Sequence, residues 1–209
     1  AAAPETASSG CHVMGSSSNW IRFPYYHHVF DDERYGFTRQ LNYLRDFGEF
    51  ISLDDVVALL NSGGKIDGRY FCVTFDDGFK NCHTNAVPIL IDNGANAVFF
   101  IATGYIDTDL ENDKEKLFNF FDYGKILIEF LSWQNCRDMA EAGMTIGSHT
   151  VNHARLAKLD EKEVAHELTT SKEMIENNVG QVCNHFCIPF GIPNKTIFLG
   201  NKKEGNWTY

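Results

Sequence analysis

The 209-residue sequence has no CxxC pair, no basic cluster longer than Lys202-Lys203 and no apolar run long enough to span a bilayer. Each absence removes a class of function. Without a second cysteine pair, the C-x3-C spacing of Cys183 and Cys187 does not complete a structural zinc cluster. The six cysteines, at positions 11, 72, 82, 136, 183 and 187, permit disulfides without requiring them. Cys72 lies in an apolar run and reads as a small core residue. The set is taken as free structural thiols, which leans toward a reducing compartment. With 18 Lys and Arg against 28 Asp and Glu, the formal net charge is -10. A nucleic-acid binder needs a basic face, so nucleic acid is excluded as a partner. A neutral or cationic substrate such as a sugar polymer meets no such objection. No transmembrane segment is expected, and residues 1-18 lack the basic and apolar regions of a signal peptide. Those small, polar residues are read as a flexible lead or tag, and residues 19-209 as one domain. The compartment, cytoplasm or cell envelope, and the oligomeric state are left open.

What is present is an alternation of strands and helices. Phenylalanine is abundant, with 17 residues, and suits a sheet packed under helices. Arg22-Val29 reads as a first strand and Thr38-Phe47 as a helix with Leu41, Leu44 and Phe47 at helical spacing. Ser52 is a good N-cap for a helix over Leu53-Asn61. Arg69-Phe75 and Ala97-Ala102 read as buried strands. Lys80-Asn93 and Trp133-Ala142 read as helices, Met144-Ser148 as a strand, Asp160-Asn178 as a long amphipathic helix and His185-Pro189 as a last strand. The segment 107-131 fits no pattern and is set aside as a substrate-side insertion. Such alternation implies an α/β fold with a mostly parallel sheet, open or closed into a barrel, whose ligands sit at the carboxyl ends of the strands.

Three polar clusters follow predicted strands. In Thr74-Phe75-Asp76-Asp77-Gly78, two adjacent carboxylates at the end of an apolar strand are costly to hold without a cation. Neighbouring side chains of an extended segment diverge, so one carboxylate can bind a metal while the other faces a water beside it. Taken alone, the cluster fits a solvated Asp-Asp-Gly turn equally well. In Ser148-His149-Thr150-Val151-Asn152-His153, the H-x3-H spacing lets both imidazoles reach one ion from a helical turn or tight loop. Two histidines and a carboxylate suit Zn²⁺ or a similar first-row ion. The third cluster, Phe186-Cys187-Ile188-Pro189-Phe190-Gly191, is by itself a plain strand end and turn.

Taken in order, TFDDG, SHxxxH and F-x-x-PFG resemble the NodB-like polysaccharide deacetylases, the family 4 carbohydrate esterases, over roughly residues 21-193. The stretches Tyr26-His27-His28-Val29, Gln40-Leu41-Asn42-Tyr43-Leu44 and Ile51-Ser52-Leu53-Asp54-Asp55 are similar to the circularly permuted branch that deacetylates poly-N-acetylglucosamine. The resemblance implies a distorted, mostly parallel (β/α) barrel, incomplete at its C-terminal end. It also implies hydrolytic N-deacetylation of an N-acetylglucosamine-type glycan with one divalent ion, Zn²⁺ first and Co²⁺ or Ni²⁺ next. Asp77, His149 and His153 would bind the ion, which polarises the acetyl carbonyl. Asp76 would act as general base, His27 as general acid, and the Phe190 backbone N-H as oxyanion donor. Pro189, Phe190 and Trp133, with the aromatic stretch Phe118-Tyr123, would offer substrate-binding surface; core packing is an equal alternative for Trp133.

The chain departs from the family pattern at several places. Cys187 stands where the family carries an arginine that orients the base, and Phe190 stands for the usual tyrosine. No Leu-x-His or Asp-Trp motif follows Gly191. Three alternatives accompany the reading: deacetylation of a lipid- or nucleotide-linked amino sugar in surface-polysaccharide synthesis, an inactive glycan-binding relative, and a metal-dependent amidohydrolase acting on a purine-breakdown product.

Overall fold

The computed structural model describes residues 18-120 and 127-192. In chain order its elements are β1 (Trp20-Arg22), β2 (Tyr25-Tyr26), α1 (Arg34-Arg45), β3 (Glu49-Phe50), α2 (Leu53-Asn61), β4 (Arg69-Phe71), β5 (Val73-Phe75), α3 (Val87-Asp92), β6 (Ala97-Ile101), α4 (Lys114-Phe118), α5 (Trp133-Glu141), β7 (Thr145-Ser148) and α6 (Glu161-Val179). Every strand pairing is parallel. One ladder runs β1-β4-β3 and the other β2-β5-β6-β7. The two ladders share a seam. Pro24 has no N-H to give and divides β1 from β2, yet the Cys72 and Thr74 amides still donate to the Arg22 and Pro24 carbonyls. Beyond β7, Phe186 makes a single parallel bridge to Ser148.

This is the α/β class read from the strand-helix alternation. Among the described residues no pairing joins the two outer edges into a closed barrel. All of β5 and β6 is buried, as a parallel sheet covered on both faces requires. Phenylalanines sit at the centre of the core: the Phe75 ring stacks on Phe99 at 4.8 Å and on Tyr26 at 5.2 Å, with Phe37 of α1 packed edge-on against it. A second aromatic cluster joins Phe79, Tyr105, Phe120 and Phe130. The five cysteines among the described residues are all free thiols, and no described helix is long and apolar enough to cross a membrane.

Caps explain where the helices begin. Ser52 accepts the Asp55 amide at α2, Ser132 accepts that of Asn135 at α5, and Asp160 and Glu163 form a capping box at α6. Four expectations are corrected. The first strand, expected over Arg22-Val29, is two short strands, Trp20-Arg22 and Tyr25-Tyr26, divided at Pro24 and ended before His27. The helix expected over Thr38-Phe47 begins a turn earlier, at Arg34. The Lys80-Asn93 helix is broken: Cys82-Ala86 winds in π geometry before α3. The cause is Pro88, which cannot bond the carbonyl four residues back; that Thr84 oxygen instead accepts Arg34 Nη1 at 3.2 Å. The last strand, expected over His185-Pro189, shrinks to bridging at His185 and Phe186, because Pro189 and a left-handed Phe190 turn the chain away.

Candidate metal and catalytic centre

The site lies at the carboxyl ends of β5 and β7 and in the turn after Phe186. The Asp76 amide completes the β2-β5 ladder by donating to the Tyr26 carbonyl. The next two residues take positive φ, 75° at Asp77 and 91° at Gly78. A side chain at Gly78 would meet Ile101 at 3.1 Å, so both the angle and the close approach demand glycine. This bend turns Asp77 inward, where it is 3% exposed.

His149 follows β7, its amide held by the Ile101 carbonyl. The H-x3-H segment is a loop rather than a helix, with Thr150 and His153 also in left-handed conformation. His149 and His153 place their Nε2 atoms 3.6 Å and 3.3 Å from Asp77 Oδ1. The three ligand atoms lie within 4.8 Å of one another. The Cys187 carbonyl, 2.9 Å from His149 Nδ1, leaves Nε2 as the lone pair facing the aspartate, the arrangement of a ligating histidine. The His153 ring is packed between Phe120, at 4.7 Å, and Phe190, at 4.6 Å. Arg155 covers the Phe190 ring at 3.8 Å.

The electrostatics fit a cation. Burial, then the charge of Asp76, pushes the Asp77 carboxyl up to about 7. Burial pushes Asp76 up to about 6, partly offset by the Cys187 thiol, which donates to Asp76 Oδ2 at 3.8 Å. Burial, then the neighbouring His153, lowers His149 to about 3. Two carboxylates that resist ionising and an imidazole that resists protonation form a donor set which a divalent cation would satisfy.

His27 lies just past β2. Burial and then His28 lower its pKa, and it is close enough to His149 to oppose protonation there. His28 turns elsewhere, with its ring 4.3 Å from Phe30 and its Nε2 3.9 Å from Glu33. Pro189 and Phe190 form the turn beside His153. Trp133, by contrast, opens α5 and packs half-buried against the main core, a structural role that accounts for it without a ligand. Of the aromatic stretch Phe118-Tyr123, Phe120 buttresses His153, and residues 121-123 lie outside the described residues.

Sequence reasoning missed Glu167. This buried side chain reaches from α6 to accept the Val151 and Asn152 amides at 2.8 and 2.9 Å and Asn152 Nδ2 at 2.7 Å. It therefore holds the loop between the two histidines. The signal was available, since a carboxylate stands on the α6 stripe that buries Val164, Ser171 and Ile175. The pairing of buried His185 with Asp54 at the start of α2, at 2.7 Å, was missed as well.

Three similarities bear on this site. YxkH of Bacillus subtilis (strain 168), whose name places it among polysaccharide deacetylases, is 23% identical over 191 residues, covering 91% of this chain and 58% of its own length. A chitin deacetylase of Pestalotiopsis sp is 26% identical over 120 residues, 57% of this chain and 34% of its own. This chain thus spans less than two thirds of the length of either relative. The structure of IcaB from Ammonifex degensii superposes with a TM-score of 0.74 at 21% identity, covering 90% of this chain and 82% of that one, and supports the fold. The family described as polysaccharide deacetylase matches residues 63-206, which include Asp76, Asp77, His149, His153 and the Pro189-Phe190-Gly191 turn. The chain belongs to the polysaccharide deacetylase family.

Proposed function

We propose that this chain removes N-acetyl groups from an amino-sugar polysaccharide or oligosaccharide by hydrolysis, with one divalent cation, Zn²⁺ foremost, held by Asp77, His149 and His153. The observation that carries the reading is the convergence of these three ligand atoms within 4.8 Å, with a second carboxylate, Asp76, alongside. A bound divalent cation supplies Lewis acidity toward the acetyl carbonyl and toward water.

The chain's own residues do the rest. Asp76 takes the proton of the attacking water, and once a cation offsets its burial it is ionised at neutral pH. The Phe190 backbone N-H donates to the acetyl oxygen as negative charge develops there. His27, exposed at the solvent edge of the site, takes a proton from solvent and, as the imidazolium, passes it to the departing amine, which cannot leave as an anion. Phe120 and Phe190 keep the His153 ring in place and exclude water from one side of it. The part of Phe190 left exposed beside Arg155, 42% of the residue, offers apolar contact to a sugar.

The test is acetate release from chito-oligosaccharides and from a poly-β-1,6-N-acetylglucosamine fragment, after chelation and after adding back Zn²⁺, Co²⁺ or Ni²⁺. Release that disappears on chelation and returns with metal is expected. Failure to release acetate from either substrate with all three ions would overturn the proposal.

A further inference from the structure

Asp76, His149 and Cys187 form a second group of ligand atoms, also within 4.8 Å of one another. It shares His149 with the first group but offers oxygen, nitrogen and sulfur in place of oxygen and two nitrogens. Cys187 is half-buried, whereas the other four described cysteines are buried. Its thiol already faces Asp76, with Sγ 3.8 Å from Oδ2. Its own carbonyl lies against His149 Nδ1, so the backbone of residue 187 and its side chain bracket the same imidazole.

We infer that Asp76, His149 and Cys187 make a binding position for a thiophilic cation such as Cd²⁺, distinct from the Asp77-His149-His153 set and in competition with it. Sulfur selects soft ions, whereas the oxygen and imidazole set accepts borderline first-row ions. Because His149 Nδ1 is engaged, one imidazole nitrogen must serve both positions, and the two cannot both be filled independently. On binding, the Cys187 S-H bond breaks, a sulfur-cadmium bond forms and the proton passes to buffer. Burial, and then the Asp76 and Asp77 carboxylates, make this thiol hard to ionise; the carboxylates are the charges a cation would offset. Filling the position also occupies the Asp76 carboxylate. The effect on catalysis therefore rests on the function proposed above, but the binding does not.

The test titrates Cd²⁺ into the chelated full chain and follows the ultraviolet absorption of the thiolate-to-cadmium charge transfer. One equivalent of signal is expected. It should be lost in Cys187→Ser and in Cys187→Ala, and retained in His153→Ala, which disables only the other set. Far-UV circular dichroism of each variant checks the fold, and either Cys187 variant suffices if the other does not fold. Signal that persists without Cys187, or that disappears with His153, would overturn the inference. Acetate release in Zn²⁺ without Cd²⁺, measured separately on the unmodified chain, reports on the deacetylase reading alone.

Discussion

Removing the Glu167 carboxylate tests whether the loop between the histidines is held from α6. In Glu167→Ala the Val151 and Asn152 amides lose their acceptor in a partly buried loop. An orphaned buried donor costs roughly 1-3 kcal/mol, so the pair costs about 2-6 kcal/mol, and loop relaxation or an entering water favours the lower part of that range. For a chain of this size 1 kcal/mol moves Tm by about 2-4 °C. A fall of at least about 4 °C is expected in a calorimetric scan of the chelated protein. Zn²⁺ affinity, read by isothermal titration with a competing chelator, should drop by about 10-100-fold, the usual effect of disturbing what supports a metal ligand. Glu167→Gln should behave differently. Its amide oxygen can replace the atom that accepts both backbone amides, while its NH₂ meets the Asn152 side chain, which rotates to present an oxygen. The loss of charge then costs about 1 kcal/mol. Equal effects of the two variants, or a cost below about 1 kcal/mol for alanine, would refute the reasoning.

Three further outcomes follow from the same geometry. Asp76→Asn should retain Zn²⁺ yet release no acetate, whereas His149→Ala should lose both; measured turnover near normal in Asp76→Asn would remove the base assignment. His27→Ala should slow acetate release by roughly 10²-10⁴-fold, the range for a general acid, and His28→Ala should leave it near normal, so equal small effects would set His27 aside. The stabilisation by saturating Zn²⁺ should grow from pH 6 to pH 8. In the metal-free fold the Asp77 and Asp76 carboxyls are raised to about 7 and about 6, above their unfolded values, so the folded state binds more protons. Its stability therefore falls as pH rises through that window. The cation displaces those protons and removes the penalty, so a calorimetric Tm gain that shrinks with rising pH would count against a carboxylate-borne site.

Much of this was legible in the sequence, and the gaps have physical causes. The strands within Arg69-Phe75 and Ala97-Ala102 announce themselves because β5 and β6 are buried on both faces and nearly every residue from Phe71 on is apolar or β-branched. The α2 and α5 starts follow from serine caps, whose hydroxyls serve amides three residues on. Asp76, Asp77, His149 and His153 could be proposed because each pair falls just after a strand. What holds them could not be. Glu167, Phe120 and Asp54 act across the fold, and single-chain periodicity carries no information about which loop a helix will touch. The π geometry at Cys82-Ala86 depends on Pro88 and on a distant guanidinium together. The described ends of the stretch 107-131 meet in aromatic contacts among Phe79, Phe120 and Phe130 rather than following any repeat along the chain.

The hold of residue 187 on His149 has a consequence for biosynthesis. The carbonyl that fixes the imidazole comes from the last strand-like piece of the described chain, more than 100 positions after Asp77. A nascent polypeptide that has built the central strands still presents a rotating, unselective histidine. Ion capture is thereby deferred until residue 187 has been made and has docked beside β7, which protects the shorter nascent chain from trapping whatever cation it meets first.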